Sequence, residues 1–312
     1  MTVLVYTAIA MGSLVFVIAS AARAVLYART PMHLRWELYP VPHERADRAS
    51  HGGSYFEEGE WWNRPRERRL LGELAAMIPE ILFLKALREH NPGLWRRSFP
   101  FHFGLYLTAG AGAGLLVLAA ISRLAGAAWL DGAAGLVARW ALAGMGWAGI
   151  VLAVAGALAL LHRRFQDPAL RAFTTAGDAF NLLFFVIALG TLGGGYVARP
   201  AGSADAFGLA IGILSWDSAV RVPGVLAAGV ISTAALAAYI PLTHMSHFIG
   251  KYFTYHAIRW DDAPLGDSRK MSVALAASLA QRPTWAAGHM KADGRATWAD
   301  LVTTNPTDEG GR

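Results

Sequence analysis

The stretch YIPLTHMSHFIGKYFTYHAIRWDD, residues 239–262, decides how the rest of the chain is read. An apolar run passes into two histidines, His244 and His247, and then into a basic, aromatic and polar segment. That order describes the inner end of a membrane-spanning helix, where apolar side chains give way to cations and amphipathic aromatics at the headgroups. A histidine inside a span is costly, and its presence points to function.

The composition fits a membrane protein. The 312 residues are 54% hydrophobic and 16% charged, against about 25% charged in a soluble domain. The deficit lies in apolar blocks of roughly 20 residues or more, the length that crosses the hydrocarbon core. The net charge of +6 flanks those blocks, so it does not indicate nucleic acid. There is no cysteine, which excludes a disulfide framework, a thiolate metal site and a protein-bound iron–sulfur cluster. Redox chemistry would have to use a histidine-held metal or a diffusible cofactor.

The blocks predict an all-α integral membrane protein, a bundle of five transmembrane helices. The first helix occupies residues 1–27, with its apolar core at 3–26. No positive charge precedes that block, whereas Arg23 and Arg29 close it. A signal peptide has the opposite order, so an uncleaved span with its N-terminus outside is expected. Residues 28–98 form a basic, cytoplasmic segment: a Pro-, Gly- and aromatic-rich loop, then RERRLLGELAAMIPEILFLKALREH (66–90), an amphipathic helix for the inner membrane surface or a partner subunit. A membrane core of four helices spans residues 99–250, with spans near 99–124, 133–161, 175–197 and 223–250. Thr174, Thr175 or Asp178 could cap the fourth. The apolar piece at 207–214 is too short to cross. Residues 251–312 form a cytoplasmic tail carrying Trp260, Trp285 and Trp298, an irregular segment suited to docking on a partner. Lys and Arg crowd the segments assigned inside, and the outer loops hold only Arg199 and Arg221.

Ten histidines are present. His33, His43, His51, His90 and His289 lie in polar segments, His162 beside Arg163 and Arg164, and His256 in the tail. His102, His244 and His247 remain. The second and fifth spans run in opposite directions, so His102 and His247 share a depth near the inner interface. Two imidazoles facing each other at one depth can ligate a b-type haem; otherwise they are interfacial hydrogen-bonding residues. His244 is three residues from His247, and spacing does not decide between them as the iron ligand. Gly110 and Gly112, in the run AGAGAG (109–114), would let a flat macrocycle or another helix approach.

FHFG at 101–104, LLHRRFQDPALRAFTTAGD at 160–178 and PLTHMSH at 241–247 together resemble the gamma (cytochrome b) subunit family of respiratory nitrate reductase. The loop MHLRWELYPV, the tail YFTYHAIRWDD and TWADLVTTNP look closer to the cytochrome b subunits of heterodisulfide-reductase-like membrane complexes of sulfur metabolism. The resemblance implies five spans in a bacterial or archaeal cytoplasmic membrane, with His102 and His247 as the iron ligands of the inner haem b. The family's second-haem ligands fall on Gly112 and Gly229, so one haem is expected. It further implies electron exchange between a quinone, such as menaquinol, and a cytoplasmic iron–sulfur subunit. Candidate quinone contacts are His244, Asp178 and Asn181, with Arg139 near the outer face, where it would snorkel. Helix capping by Asp178 and interhelical bonding by Asn181 are the plainer roles. The rival functions are a membrane anchor without a redox role and a small transporter.

Overall fold

The structure is a computed structural model that describes residues 1–30, 41–44, 54–63, 65, 69–126, 132–262, 268–285 and 292–304. His33, His51 and His289, residues 31–40 and 45–53 of the expected loop over 31–62, and parts of the motifs MHLRWELYPV and TWADLVTTNP lie outside the described residues. No strand occurs among those described. The helices are α1 (Thr2–Arg29), α2 (Leu70–Leu82), α3 (Lys85–His90), α4 (Pro92–Ala125), α5 (Ala133–Gln166), α6 (Pro168–Arg171), α7 (Ala176–Val197), α8 (Ala206–Ser215), α9 (Gly224–Tyr239), α10 (His247–Thr254), α11 (Arg269–Leu279) and α12 (Trp298–Thr303). Five of these segments are long and apolar enough to cross a membrane: α1, α4, α5, α7 and α9 with the turn that follows it.

Local chemistry sets the ends. Asn91 caps α4, its side chain accepting from Leu94 N at 3.0 Å, and Pro92 stands at the first helical position where its missing N–H is no loss. The helix therefore begins before Phe99, where the apolar run starts, and its 34 residues reach about 51 Å, longer than the hydrocarbon core. Thr175 and Asp178 form a reciprocal capping box at the start of α7. The amphipathic segment is two helices, because Leu84 adopts a left-handed conformation (φ 51°) between α2 and α3. The short apolar piece is α8, capped by Asp205.

The chain falls into two compact units. The first comprises Met1–Val25 and Glu73–Gly250. Its helices pack through small residues. A Cβ at Gly104 would stand 2.6 Å from Gly149 O, one at Gly149 2.6 Å from Thr108 N, and one at Gly156 2.7 Å from Phe101 Cα. These pairings run in opposite sequence directions, so α4 and α5 are antiparallel. Gly195 on Leu226 and Gly229 on Leu192 make α7 and α9 antiparallel in the same way. Gly12 meets Ala234, and Arg23 reaches Leu242, so α1 runs parallel to α9. The spans thus alternate in direction through the bundle. Without a water-driven force between helices in lipid, close backbone approach is what holds such a bundle. Apolar clusters around Phe101, Ala153, Phe185 and Leu236, and around Tyr6, Leu209 and Leu226, fill the interior.

The second unit comprises Leu26–Gly72 and Lys251–Arg312. The tail is more structured than the irregular segment its composition suggests. It continues from α10 through a π-helical turn at Tyr255–Arg259 and includes α11 and α12. Its Asp262 is buried and accepts from Tyr55 Oη at 2.8 Å, with His43 Nε2 at 2.9 Å. Buried Glu44 accepts from Ser54 Oγ (2.7 Å) and from the backbone N–H groups of Val41 and Tyr55 (3.1 Å each). The segment after the first span and the segment after the last are therefore joined by a buried polar core.

Candidate functional site

Two imidazoles meet at one end of the bundle. His102 on α4 and His247 at the start of α10 have ring centroids 6.1 Å apart and planes inclined by 68°. The Nδ1 of His102 lies 2.8 Å from the Ser98 carbonyl oxygen and 3.2 Å from the Ser98 hydroxyl. A carbonyl can only accept, so Nδ1 carries a proton, and in the neutral imidazole the lone pair then lies on Nε2. This is the tautomer a metal-binding imidazole adopts when a backbone carbonyl holds its far nitrogen.

The spacing has a direct reading. Two imidazoles that share one metal, each nitrogen about 2.0 Å from it, have ring centres roughly 6.4 Å apart. The observed 6.1 Å is close to that. Among the described residues, no group of three or more His, Cys, Asp or Glu is placed to hold a metal ion. Two nitrogens alone suit a metal that arrives with its own equatorial ligands, as haem iron does. His102 is half-buried and His247 exposed, so the pair is reached from outside the bundle.

A break in the last helix separates the roles of the two candidate histidines. The sequence reads as one helix to residue 250, with His244 and His247 on a common face. Instead α9 ends at Tyr239, two 3₁₀ turns follow at Ile240–Leu242 and His244–Ser246, and helix resumes at His247. Pro241 lacks an N–H and Thr243 is extended (φ −116°, ψ −176°), which together interrupt the ladder. His247 then lies against His102, while His244 Nε2 lies 3.5 Å from Asn181 Nδ2.

The other candidates are spoken for by protein partners. Asn181 is buried, and its Oδ1 accepts from Tyr239 Oη at 2.9 Å, so Tyr239, Asn181 and His244 form a chain of polar contacts between α7 and the break. Asp178 is held by Thr175 (2.9 Å to the hydroxyl, 3.0 Å to the N–H) and lies 3.6 Å from Arg164. Gly110 and Gly112 are eight and ten residues beyond His102, about 12 and 15 Å along the axis, and do not flank the histidine pair. A Cβ on Gly229 would come within 2.5 Å of Leu192 Cα. A histidine at that position would force α7 and α9 apart.

Arg139 does not snorkel away from the protein. Its Nη2 lies 3.3 Å from Asp205 Oδ2 and its guanidinium 4.8 Å from the Phe207 ring centroid. Both charged groups line a cavity of about 560 Å³ that also includes Gly112. Ser98, Tyr239 and Asp205 are functional neighbours that the sequence reading passed over. Ser98 precedes His102 by one helical turn, a spacing that could have marked it; the pairing of Asp205 with Arg139 has no local signature. No protein-family model, curated protein or solved structure matches the chain. The chemistry of the site therefore rests on its own geometry.

Proposed function

We propose that the chain is a cytochrome b membrane subunit that carries one haem b between His102 and His247 and exchanges electrons between a membrane quinone and a cytoplasmic iron–sulfur protein. The observation that carries this reading is the meeting of the two imidazoles at 6.1 Å, with the far nitrogen of His102 held by the Ser98 carbonyl. The bound haem would supply a one-electron redox centre. The chain's own part is to fix the imidazoles. The capped α4 holds His102 in register, and the break after Tyr239 turns His247 toward it.

The absence of cysteine puts any iron–sulfur centre on a partner. The resemblance of MHLRWELYPV, YFTYHAIRWDD and TWADLVTTNP to the sulfur-metabolism branch favours a partner similar to its heterodisulfide-reductase-like proteins. Lys and Arg concentrated before α4, after α5 and from Lys251 onward favour a cytoplasmic face at the histidine end, with the N-terminus outside. That assignment favours a cytoplasmic location, in a bacterial or archaeal cell, for the basic segments 28–98 and 251–312. The exposed Leu71, Leu74 and Ile78 of α2 would rest on the lipid surface of that cell's cytoplasmic membrane.

The test is the reduced-minus-oxidised spectrum of the full chain, purified from membranes made with ample haem. A Soret band is expected in the wild type, lost in His102→Ala and His247→Ala and retained in His244→Ala. A wild-type protein without Soret absorbance would sink the cytochrome reading.

A further inference from the structure

The cavity beside Arg139 takes no part in holding the histidine pair. Its volume of about 560 Å³ lies in the range of small-molecule sites. Residues of α1, α4, α5, α7, α8 and α9 wall it, with the rings of Trp140, Trp147, Tyr196 and Phe207 among mostly small or aliphatic side chains. Gly112 is part of the wall, and a Cβ there would meet nothing within 4 Å. Charged groups gather at one end, where Arg139 lies 3.3 Å from Asp205 and Arg199 stands nearby in the lining. Leu136 and Trp140 line the cavity yet are 51% and 71% exposed, so it opens sideways toward lipid.

We propose that this cavity binds the head ring of a membrane quinone, with Arg139 donating to a ring carbonyl and Asp205 accepting from the hydroxyl of the reduced form. The proposal rests on the quinone reading above and locates the ring away from Asn181 and His244, neither of which lines this cavity. Three features favour a quinone. Its ring is flat and apolar, as suits a slot with two indoles. Its oxygens alternate between acceptor and donor, which a guanidinium and a carboxylate side by side serve in both states. Its isoprenoid tail needs a lateral opening, and the opening beside Leu136 provides one. A phospholipid headgroup would set its phosphate against the Asp205 carboxylate. The cavity also reaches Thr108, six residues from His102 on α4 and about 9 Å along the axis, so its inner end approaches the histidine pair.

The experiment uses the full chain in lipid nanodiscs with a photoreactive azidoquinone, the labelled residues being mapped by peptide mass spectrometry. Label is expected on α5 between Leu136 and Ile150. It should fall about tenfold or more in Arg139→Gln, which loses a charge-assisted hydrogen bond. It should also fall in Gly112→Trp, which fills the slot, and persist in Asn181→Leu. Gly112→Leu, with thermal unfolding followed in parallel, separates blocked binding from a failure to fold. Label centred on His244 and Asn181 and indifferent to Gly112 substitution would overturn the placement while leaving the quinone reading intact. A photoreactive phospholipid that labels α5 undiminished by saturating quinone would assign the cavity to lipid and overturn the proposal. No quinone label anywhere on the chain would sink the quinone reading itself.

Discussion

Replacing Gly156 by alanine tests whether the seam between α4 and α5 sets the histidine geometry. The added methyl would stand 2.7 Å from Phe101 Cα and 2.8 Å from Phe101 Cβ. Ordinary contact begins at 3.4 Å and Phe101 N is nearer still, so the methyl is at least 0.7 Å too close to a helix backbone that cannot rotate away. The seam must open by roughly that amount, and Phe101 is the immediate neighbour of His102. Overpacking of this kind costs about 1–3 kcal/mol, a factor of roughly 5 to 150 in the folded population. A gain of up to about 1 kcal/mol in helix propensity from replacing glycine offsets part of it. Gly144→Ala is the control, because a Cβ there meets nothing within 4 Å and only the propensity gain applies. Reversible denaturation of the detergent-solubilised chain, scored by tertiary fluorescence, should give a lower midpoint for Gly156→Ala and an equal or higher one for Gly144→Ala. The haem proposed between His102 and His247 should be lost more readily with the first and kept with the second. Equal midpoints for the two variants would refute the seam as the element that positions His102.

Three further outcomes follow from the same coordinates. Tyr239→Phe removes the donor to Asn181 Oδ1 and leaves a buried amide oxygen short of a partner, at about 1–3 kcal/mol; faster hydrogen exchange at residues 240–246 is the readout, with the Soret band of the proposed haem retained. Asp262→Ala takes the acceptor from both His43 and Tyr55 in a buried site, a loss of about 3 kcal/mol that should appear as protease cleavage within residues 41–63 without loss of the membrane bundle. The Thr297 N–H and hydroxyl hold the Asp300 carboxyl below its ordinary range. A depressed folded pKa stabilises α12 above the ordinary carboxylate range and loses that support as pH falls through the folded value, so amide protection at Leu301–Thr303, taken relative to the intrinsic exchange rate at each pH, should fall under acid and hold near neutrality.

The parts legible in the sequence are those that rest on short-range chemistry. Apolar blocks identify all five spans, because crossing lipid demands a continuous run whatever the neighbours are. The capping box at Thr175 and Asp178 could be read from two residues. Hydropathy begins α4 late, near Phe99, because it is blind to Asn91-Pro92, a cap made of polar atoms and a missing N–H. The break at Pro241–Thr243 was visible as a proline but hidden inside an apolar run. Partners far apart in the chain left no trace. Arg139 and Asp205 are 66 residues apart, and His43 and Asp262 are 219 apart. A guanidinium read alone looks like a snorkelling side chain, and a tail read alone looks irregular.

The break matters more than its few residues suggest. On an unbroken helix, residues three apart share a face, and His244 and His247 would compete for one neighbour. The extended Thr243 ends that equivalence, giving Asn181 to His244 and His102 to His247. A helix cannot be interrupted freely within lipid, because each released carbonyl needs a partner. Arg23 of α1 supplies one, its Nη2 donating to Leu242 O at 3.2 Å. Tyr239, the last residue of α9, adds the bond to Asn181 on the far side. The basic residue near the end of the first span, which the sequence offers as a topology signal, thus has a second physical role: it satisfies the backbone of the break that separates the two histidines.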